Sequence, residues 1–390
     1  MKIKAYRRPD GRFGIRNKIL ILSTVGCANE TARQIAQRVE GAVCAINPKG
    51  CGQIGDSVQI MFRSLLGLAD NPNVYGTIIV GLGCETTQPG KLYELIKEKT
   101  CKPVEMITIQ EEGGTIRTVE KGVRIAQKMA LEMSKVDREE TDLSSLVLAT
   151  NCGGSDATSG LSANPALGWA SDRLVEAGGT VILGETTELI GTEHILAARA
   201  KNERVKNQIL TIVHGLEEEF HRLGIDVRGA NPSPGNMKGG LSTLEEKALG
   251  GILKGGTTTI NEVVPYGIRP KEKGLVIMDT PGYDIESVTG MVAGGAQICV
   301  FTTGRGTPIG NPIVPVIKVT GNRETFNRMK DNMDLDMSGV LFGEKSIEDC
   351  GRELLEEIID VANGRYTKAE AFGFSELAIC RNSEIWCTCI

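Results

Sequence analysis

Histidine and aromatic side chains are scarce here: three histidines and 4 % aromatics in 390 residues. Any chemistry that needs an imidazole must therefore draw on His194, His214 or His221. No long run of Lys or Arg occurs and the net charge is −5, which sets aside a nucleic-acid footprint, since that needs clustered basic residues. The opening MKIKAYRRPDGR has no apolar stretch behind its charges, so it does not read as a secretory signal. No segment has the apolar length needed to span a bilayer, and a cytoplasmic protein is the expectation. The GxxxxGK[ST] phosphate loop is missing, and GLGCET at 81–86 lacks the third glycine of a dinucleotide fingerprint. No local CxxC array exists, which excludes ferredoxin-like and zinc-ribbon frameworks. The eleven cysteines are scattered and odd in number, unlike the short, dense framework of a disulfide scaffold.

What is present is an ordinary globular balance, 41 % hydrophobic and 24 % charged, with 48 glycines that imply many tight turns. Apolar runs at 17–25, 42–46, 75–80 and 104–109 read as strands. Stretches at 29–39, 57–68, 90–99 and 114–134 read as helices between them, with Asn29 as an N-cap. A charged stretch at 134–142 reads as a linker or exposed helix end. The pattern then restarts with strands at 143–149, 180–183, 275–278, 297–301 and 314–319. Helices follow at 164–177, 193–223 (in two pieces), 244–253 and 346–363. Continuous apolar strands alternating with helices predict parallel sheets covered on both faces. The expected fold is α/β, two Rossmann-like parallel-sheet units with helices on both faces. The expected boundaries are 1–135 for the first and 136–390 for the second, the latter carrying the NPSPGN loop and a helical segment near its end.

Four cysteines follow strand ends: Cys27, Cys51, Cys84 and Cys152. Strand C-termini of an open parallel sheet share one edge, and ligands bind outside it, so these four could face one crevice. Soft thiolates there suit iron, zinc or an iron–sulfur cluster. The alternative is that they pack as small apolar groups. That second reading is favoured for Cys44, Cys101, Cys299 and Cys350, while Cys380, Cys387 and Cys389 stay undecided.

Four further clusters gather polar residues, three of them after strands. Residues 151–168 gather Ser155, Asp156, Ser159, Ser162 and Asn164 before a helix whose N-terminus suits a carboxylate ligand; an elaborate capping loop is the alternative. Residues 184–194 carry Glu185, Glu188, Glu193 and His194, possible cation ligands or general bases, or simply a helix start. Residues 231–247 carry Asn236 and Lys238 in a Pro- and Gly-rich loop. Lys238 can bind a carboxylate or, if buried, act as a base, whereas Glu245 and Glu246 suit a helix first turn. Residues 278–284 and 301–310 offer Asp279, Thr280, Thr302, Thr303 and Arg305 as an anion cradle, Arg305 by bidentate recognition. Asp334 and Asp336 are acidic candidates or a solvated turn.

Together these clusters resemble the altronate/galactarate dehydratase family. The matching stretches are RRPDGRFGIRN, GLGCE, CGGSDATSGLSANPALG, ETTELIGTEH, NPSPGNMKGGLSTLEEK, MDTPGYD and FTTGRGTPIG, in family order from Tyr6 to Asp336. The large subunit of sulfolactate sulfo-lyase is similar throughout. The resemblance implies an iron-requiring lyase, holding Fe2+ or an iron–sulfur cluster, that removes water from a sugar acid or sulfite from sulfolactate. By motif match it carries over Cys27, Cys51, Cys84, Cys152, Asp156, Glu185, Glu188, His194, Lys238, Asp279 and Arg305.

Single-chain members carry a further small β-rich N-terminal domain. The expectation is therefore a separate small subunit, in a homo-oligomer or complex, acting on a small hydroxy acid without nucleic acid or membrane. The expected metal ligands are Cys27, Cys51, Cys84, Cys152 and Glu185. The expected catalytic residues are Lys238, His194, Glu188 and Asp156, with Ser155, Asn164, Asn236, Asp279, Thr303 and Arg305 binding substrate. Two other classes remain: a nucleotide-linked oxidoreductase, disfavoured by the incomplete glycine fingerprint, and a non-catalytic scaffold, which would need none of these polar clusters.

Overall fold

A computed structural model of the chain describes residues 1–380. It opens with β1 (Lys2–Arg7), which pairs antiparallel with β2 (Phe13–Gly14). Next come β3 (Lys18–Ser23), β4 (Ala42–Ala45), β5 (Val74–Gly81) and β6 (Val104–Thr108), forming a parallel sheet in the order β4-β3-β5-β6. Strand period dictates how this sheet is buried. Leu20, Leu22 and Ile79 enter a large core shared with the rest of the chain. Ile19, Ile21, Ile78 and Val80 point the other way into a smaller one with Ile35 and Ala126.

The stretch read as a linker is instead partly a strand: β7 (Glu139–Asp142) returns to pair with β1, Lys2 opposite Asp142. Its charged side chains lie on the exposed edge of a small sheet, where no apolar alternation is demanded. The strands β8 (Val147–Cys152), β9 (Thr180–Leu183), β10 (Ile260–Val264), β11 (Gly274–Met278), β12 (Ile298–Thr302), β13 (Val316–Thr320) and β14 (Leu335–Asp336) then form a seven-stranded parallel sheet. Its order is β10-β11-β9-β8-β12-β13-β14. The two Rossmann-like parallel sheets flanked by helices are thus present. Strand β10 has no counterpart in the sequence reading, since NEVVP is short and half polar. The residues 143–145 before β8 form a 3-10 turn, not strand.

Asn29 is not an N-cap. A 3-10 turn at Gly26–Ala28 runs straight into the helix Asn29–Ala36, and Asn29 Oδ1 instead accepts the Asn47 backbone N–H at 2.9 Å. Cys101, assigned to the core, is exposed, whereas Cys299, Cys350 and Cys380 are buried and Cys44 is half-buried. Cys387 and Cys389 lie outside the described residues.

Two asparagines lock the sheets together. Asn71 Nδ2 donates to Val292 O and Ala296 O, and Asn73 Nδ2 to Gln297 O and Ile313 O. The helices Asp56–Asp70 and Asp284–Ala293 pack so closely that a Cβ on Gly67 would lie 2.3 Å from Ala293 O. Their ends meet through Asn71, so they run in the same direction and both begin on the same side of the molecule. The C-terminal edges of both sheets consequently face that side. No helix among the described residues is long and apolar enough to cross a membrane.

Candidate functional site

Strand order reverses at one point in each sheet, between β5 and β4 around β3, and between β9 and β12 around β8. Crevices open outside the strand ends at such points. Cys27 and Cys84 follow β3 and β5 at the first, and Cys152 ends β8 at the second.

At the first edge three cysteine loops are stitched together by backbone. Gly26 N donates to Lys49 O, Thr87 N to Gly50 O, and Gly52 N to Thr86 Oγ1. A Cβ on Gly50 would fall 2.0 Å from Thr24 O, and Gly50 holds φ +94°, so only glycine fits this crossing. Beneath them the buried Glu85 carboxylate accepts from Thr24 Oγ1 (2.6 Å), Leu82 N (3.0 Å) and Gly83 N (2.6 Å). The three thiols of Cys27, Cys51 and Cys84 are exposed. Among the described residues their one hydrogen bond comes from Gln110 Nε2, 3.6 Å from Cys84 Sγ. The backbone fixes the three cysteine loops to one another, but among the described residues their thiols do not come within 4.8 Å of one another as a preformed group of three ligand atoms.

The second edge differs in every respect. Cys152, Glu185 and Glu188 are buried, and their ligand atoms lie within 4.8 Å of one another, a group that could hold a metal ion. Cys27, Cys51 and Cys84 do not join this group. Glu185 carries the left-handed φ of +66°, the single non-glycine residue with positive φ among those described, and such strain persists where the surroundings enforce it. Here Glu185 N donates to Thr280 Oγ1 (2.6 Å), Thr186 N to Thr280 O (2.9 Å), and Cys152 N to Glu185 Oε2 (3.0 Å). The other carboxylate oxygen, Glu185 Oε1, is buried without a partner.

Two lysines enter this cluster. Lys254 Nζ donates to Cys152 Sγ (2.7 Å) and Glu185 Oε2 (2.6 Å). Lys247 Nζ meets Glu188 Oε1 at 2.8 Å and Asn231 Oδ1 at 3.0 Å. Cys152 Sγ donates to Glu188 Oε2 at 3.1 Å. Burial, then Glu185 and Glu188, push the Cys152 thiol well above its ordinary range, so it stays protonated. Burial also raises Glu185, against the pull of Lys254. Burial works against the Glu188 carboxylate too, yet Lys247 and then Lys254 outweigh it and hold its pKa low. Half-buried Asp284, whose carboxylate abuts Gly153, is pushed up by burial and then by the two glutamates.

A cavity of about 280 Å³ borders this cluster, lined by Cys152, Ser155, Ser159, Asn164 and Lys247 with Leu161, Leu241, Leu249 and Leu253. Ser155 Oγ is buried and unpartnered. Asn236 Nδ2 fixes Ser155 O at 2.8 Å. Asn164 bridges Thr302 Oγ1 and Gly250 O, and the residues before it, Ser159–Ala163, form a π-helical turn, a feature frequent at functional sites. Asp156 borders the cavity, but its oxygens are taken: Oδ1 by Thr158 and Ser159, Oδ2 by Asn322. It locks the loop. Thr303 Oγ1 accepts Gly306 N, and exposed Arg305 lies beside Gly154 with Nη1 3.4 Å from Gly235 O. Asp279 accepts from Thr186 Oγ1 at 2.7 Å.

Lys238 and His194 are exposed, outside the cluster, and Glu193 faces His214 instead. Glu245 and Glu246 occupy a helix first turn, and Asp336 accepts Ser338 N in a turn. A larger groove of about 880 Å³ lies at the opposite strand edges. Its Arg16 is already engaged by Glu370 and three carbonyls, and Arg138 by three carbonyls.

Sequence reasoning missed Lys247, Lys254 and Asp284. Lys247 was detectable: on the helix Leu244–Ile252 it shares the face of Leu244, Ala248 and Gly251, all buried. Lys254 in LKGG carries no such periodic signal.

Comparison with known proteins gives concordant matches. The family described as D-galactarate/Altronate dehydratase, C-terminal, matches residues 143–385, and D-galactarate dehydratase/Altronate hydrolase, second domain, matches residues 5–134. The chain is similar to (2R)-sulfolactate sulfo-lyase subunit beta of Chromohalobacter salexigens, 39 % identical across 96 % of each chain. It is also similar to altronate dehydratase of Bacillus subtilis, 36 % identical over 96 % of this chain and 77 % of that one. Galactarate dehydratase (L-threo-forming) of Escherichia coli is 38 % identical over 93 % and 73 %.

Proposed function

The chain belongs to the D-galactarate/altronate dehydratase family and is an enzyme of the lyase class; on that premise we propose that it eliminates a leaving group from C3 of a small 2-hydroxy acid to give a 2-keto acid. The observation that carries this is the buried Cys152–Glu185–Glu188 cluster at a strand-end crevice beside a small cavity lined with hydroxyl and amide groups. Glu188, kept ionised, is the base for the C2 proton. As that C–H bond breaks, its electron pair forms the C2–C3 double bond, and the C3 substituent departs with its bonding pair. The resulting enol then tautomerises to the 2-keto acid. Ser155 and Asn164 orient the hydroxyl groups, Asn236 holds Ser155 in place, and Arg305 and Thr303 serve the outer end of the acid, with Asp279 on the neighbouring strand end.

In this reading iron would be held by Cys27, Cys51 and Cys84, whose loops the backbone hydrogen bonds bring together, and would supply a Lewis acid. The leaving group is water from an acid of the altronate or galactarate type, giving a 2-keto-3-deoxy acid. A second reading, release of sulfite from (2R)-sulfolactate with formation of pyruvate, is favoured by one observation. The sulfo-lyase beta subunit is 39 % identical to this chain over 96 % of each. The word "subunit" in that relative's name also supports a separate small partner.

The test is anaerobic purification, alone and with a co-expressed small subunit, followed by iron and sulfide analysis and incubation with altronate, galactarate and sulfolactate. A 2-keto acid from the sugar acids supports dehydration. Sulfite with pyruvate supports the second reading. Iron-loaded protein that forms no keto acid from any of them overturns both.

A further inference from the structure

The positions a metal ion would take among Cys152, Glu185 and Glu188 are filled from within the chain. Lys254 Nζ touches both Cys152 Sγ and Glu185 Oε2, and Lys247 Nζ touches Glu188 Oε1. The side chains of Lys254 and Glu185 are 1 % and 0 % exposed, those of Lys247 and Glu188 8 % and 7 %. The donors are therefore already taken: Lys254 engages Cys152 and Glu185, and Lys247 engages Glu188. A divalent cation could enter only by displacing these two ammonium groups from their partners inside a buried site, an arrangement that low-dielectric surroundings disfavour strongly. Donor distance alone would permit a metal, but the two lysines occupy the donors.

One of the two lysines also faces the cavity. An ammonium group has three N–H donors. Lys247 directs two at Glu188 and Asn231 and lines the same cavity as the unpartnered Ser155 hydroxyl. We propose that Lys247 and Lys254 are the resident cations of this centre in place of a metal ion, and that Lys247 gives its third N–H to the carboxylate of a small hydroxy acid seated beside Ser155. On this assignment any iron the chain carries is held elsewhere, by Cys27, Cys51 and Cys84 in the reading proposed above. The inference rests on the lyase reading only for the kind of acid that binds.

The test has two independent readouts on protein purified anaerobically. Iron per chain is measured in the wild type and in Cys152→Ser, Glu188→Gln, Lys254→Arg and Cys84→Ser, with folding checked by circular dichroism. Iron unchanged in the first three and lost in the fourth is expected. Loss of half or more of the iron in folded Glu188→Gln or Cys152→Ser overturns the assignment of the cations.

Binding of D-glycerate is then followed by calorimetry. Lys247→Met is expected to weaken it by about 10- to 100-fold, the worth of a hydrogen bond to a charged group, and Lys247→Arg to restore part of it. No binding by the wild type, or equal binding by wild type and Lys247→Met, overturns the carboxylate role. Neither readout needs turnover. If no acid is ever dehydrated or desulfonated, the lyase reading fails while these results stand.

Discussion

The two strand edges hold cysteine in opposite physical states. At the first edge Cys27, Cys51 and Cys84 are exposed on glycine-flanked loops, and their surroundings contribute backbone hydrogen bonds more than charge. At the second, Cys152 is sealed among two carboxylates and two ammonium groups. Exposure with an unpaired thiol suits a group that arrives from solution. Burial with matched charge suits proton handling, because ionised groups there are fixed by their partners and work without water between them. A strand-end cysteine thus has no fixed meaning. What surrounds it decides whether it is a ligand or part of a polar network.

The sharpest way to break this comparison is Glu188→Gln, expected to lower kcat by about 10²- to 10⁴-fold, the usual worth of a positioned base, while circular dichroism stays native. A variant that keeps its turnover would move the base elsewhere. Next in size is Lys254→Met. Removing one partner of a buried ion pair leaves Glu185 uncompensated and should cost roughly 3–5 kcal/mol in urea unfolding. Cys84→Ser on the exposed edge should stay within about 0.5 kcal/mol, and equal losses in the two would erase the distinction between the edges.

A smaller effect concerns Asp279, whose pKa burial pushes up to about 6 from an ordinary 3.8, against the Thr186 hydrogen bond and Arg63. Because the folded value is the higher one, its contribution to stability is full below pH 4 and is lost as pH rises through about 6. Asp279→Asn should therefore gain roughly 1–2 kcal/mol at pH 8, discounted for partial exposure, and nothing at pH 4. A gain at both pH values would mean that titration of Asp279 is not the cause. The mildest perturbation is alkylation with iodoacetamide, read by mass spectrometry. Metal-free protein should label at Cys27, Cys51, Cys84 and Cys101 and spare Cys152, Cys299 and Cys350. Iron-loaded protein should label at Cys101 alone among the four. Labelling of the other three despite iron would remove the thiolate-held metal.

Much of the fold was readable because buried parallel strands are continuous apolar runs and the helices between them carry a clear period. Segments without that signature escaped: β7, whose EETD is all charge or hydroxyl, and β10, half polar and paired along one side only. Of the candidate site, Ser155, Asn164, Glu185 and Glu188 were visible as polar residues crowded after strands, and the structure gathers them around Cys152. Lys238 and His194 looked equivalent in sequence, yet they lie on solvated surface, because helix phase and loop length set their direction.

The sequence by itself determined the alternation of strands and helices, the placing of cysteines and carboxylates at strand ends, and the family. Those are local properties, fixed by periodicity and by motifs a few residues long. Only the tertiary structure decided which strand ends meet. Lys254, a hundred residues after Cys152, comes within 2.7 Å of its sulfur, and three cysteine loops converge on another sheet. Charge compensation acts across space and not along the chain, so no reading of neighbours in sequence could separate the exposed thiols from the one already paired.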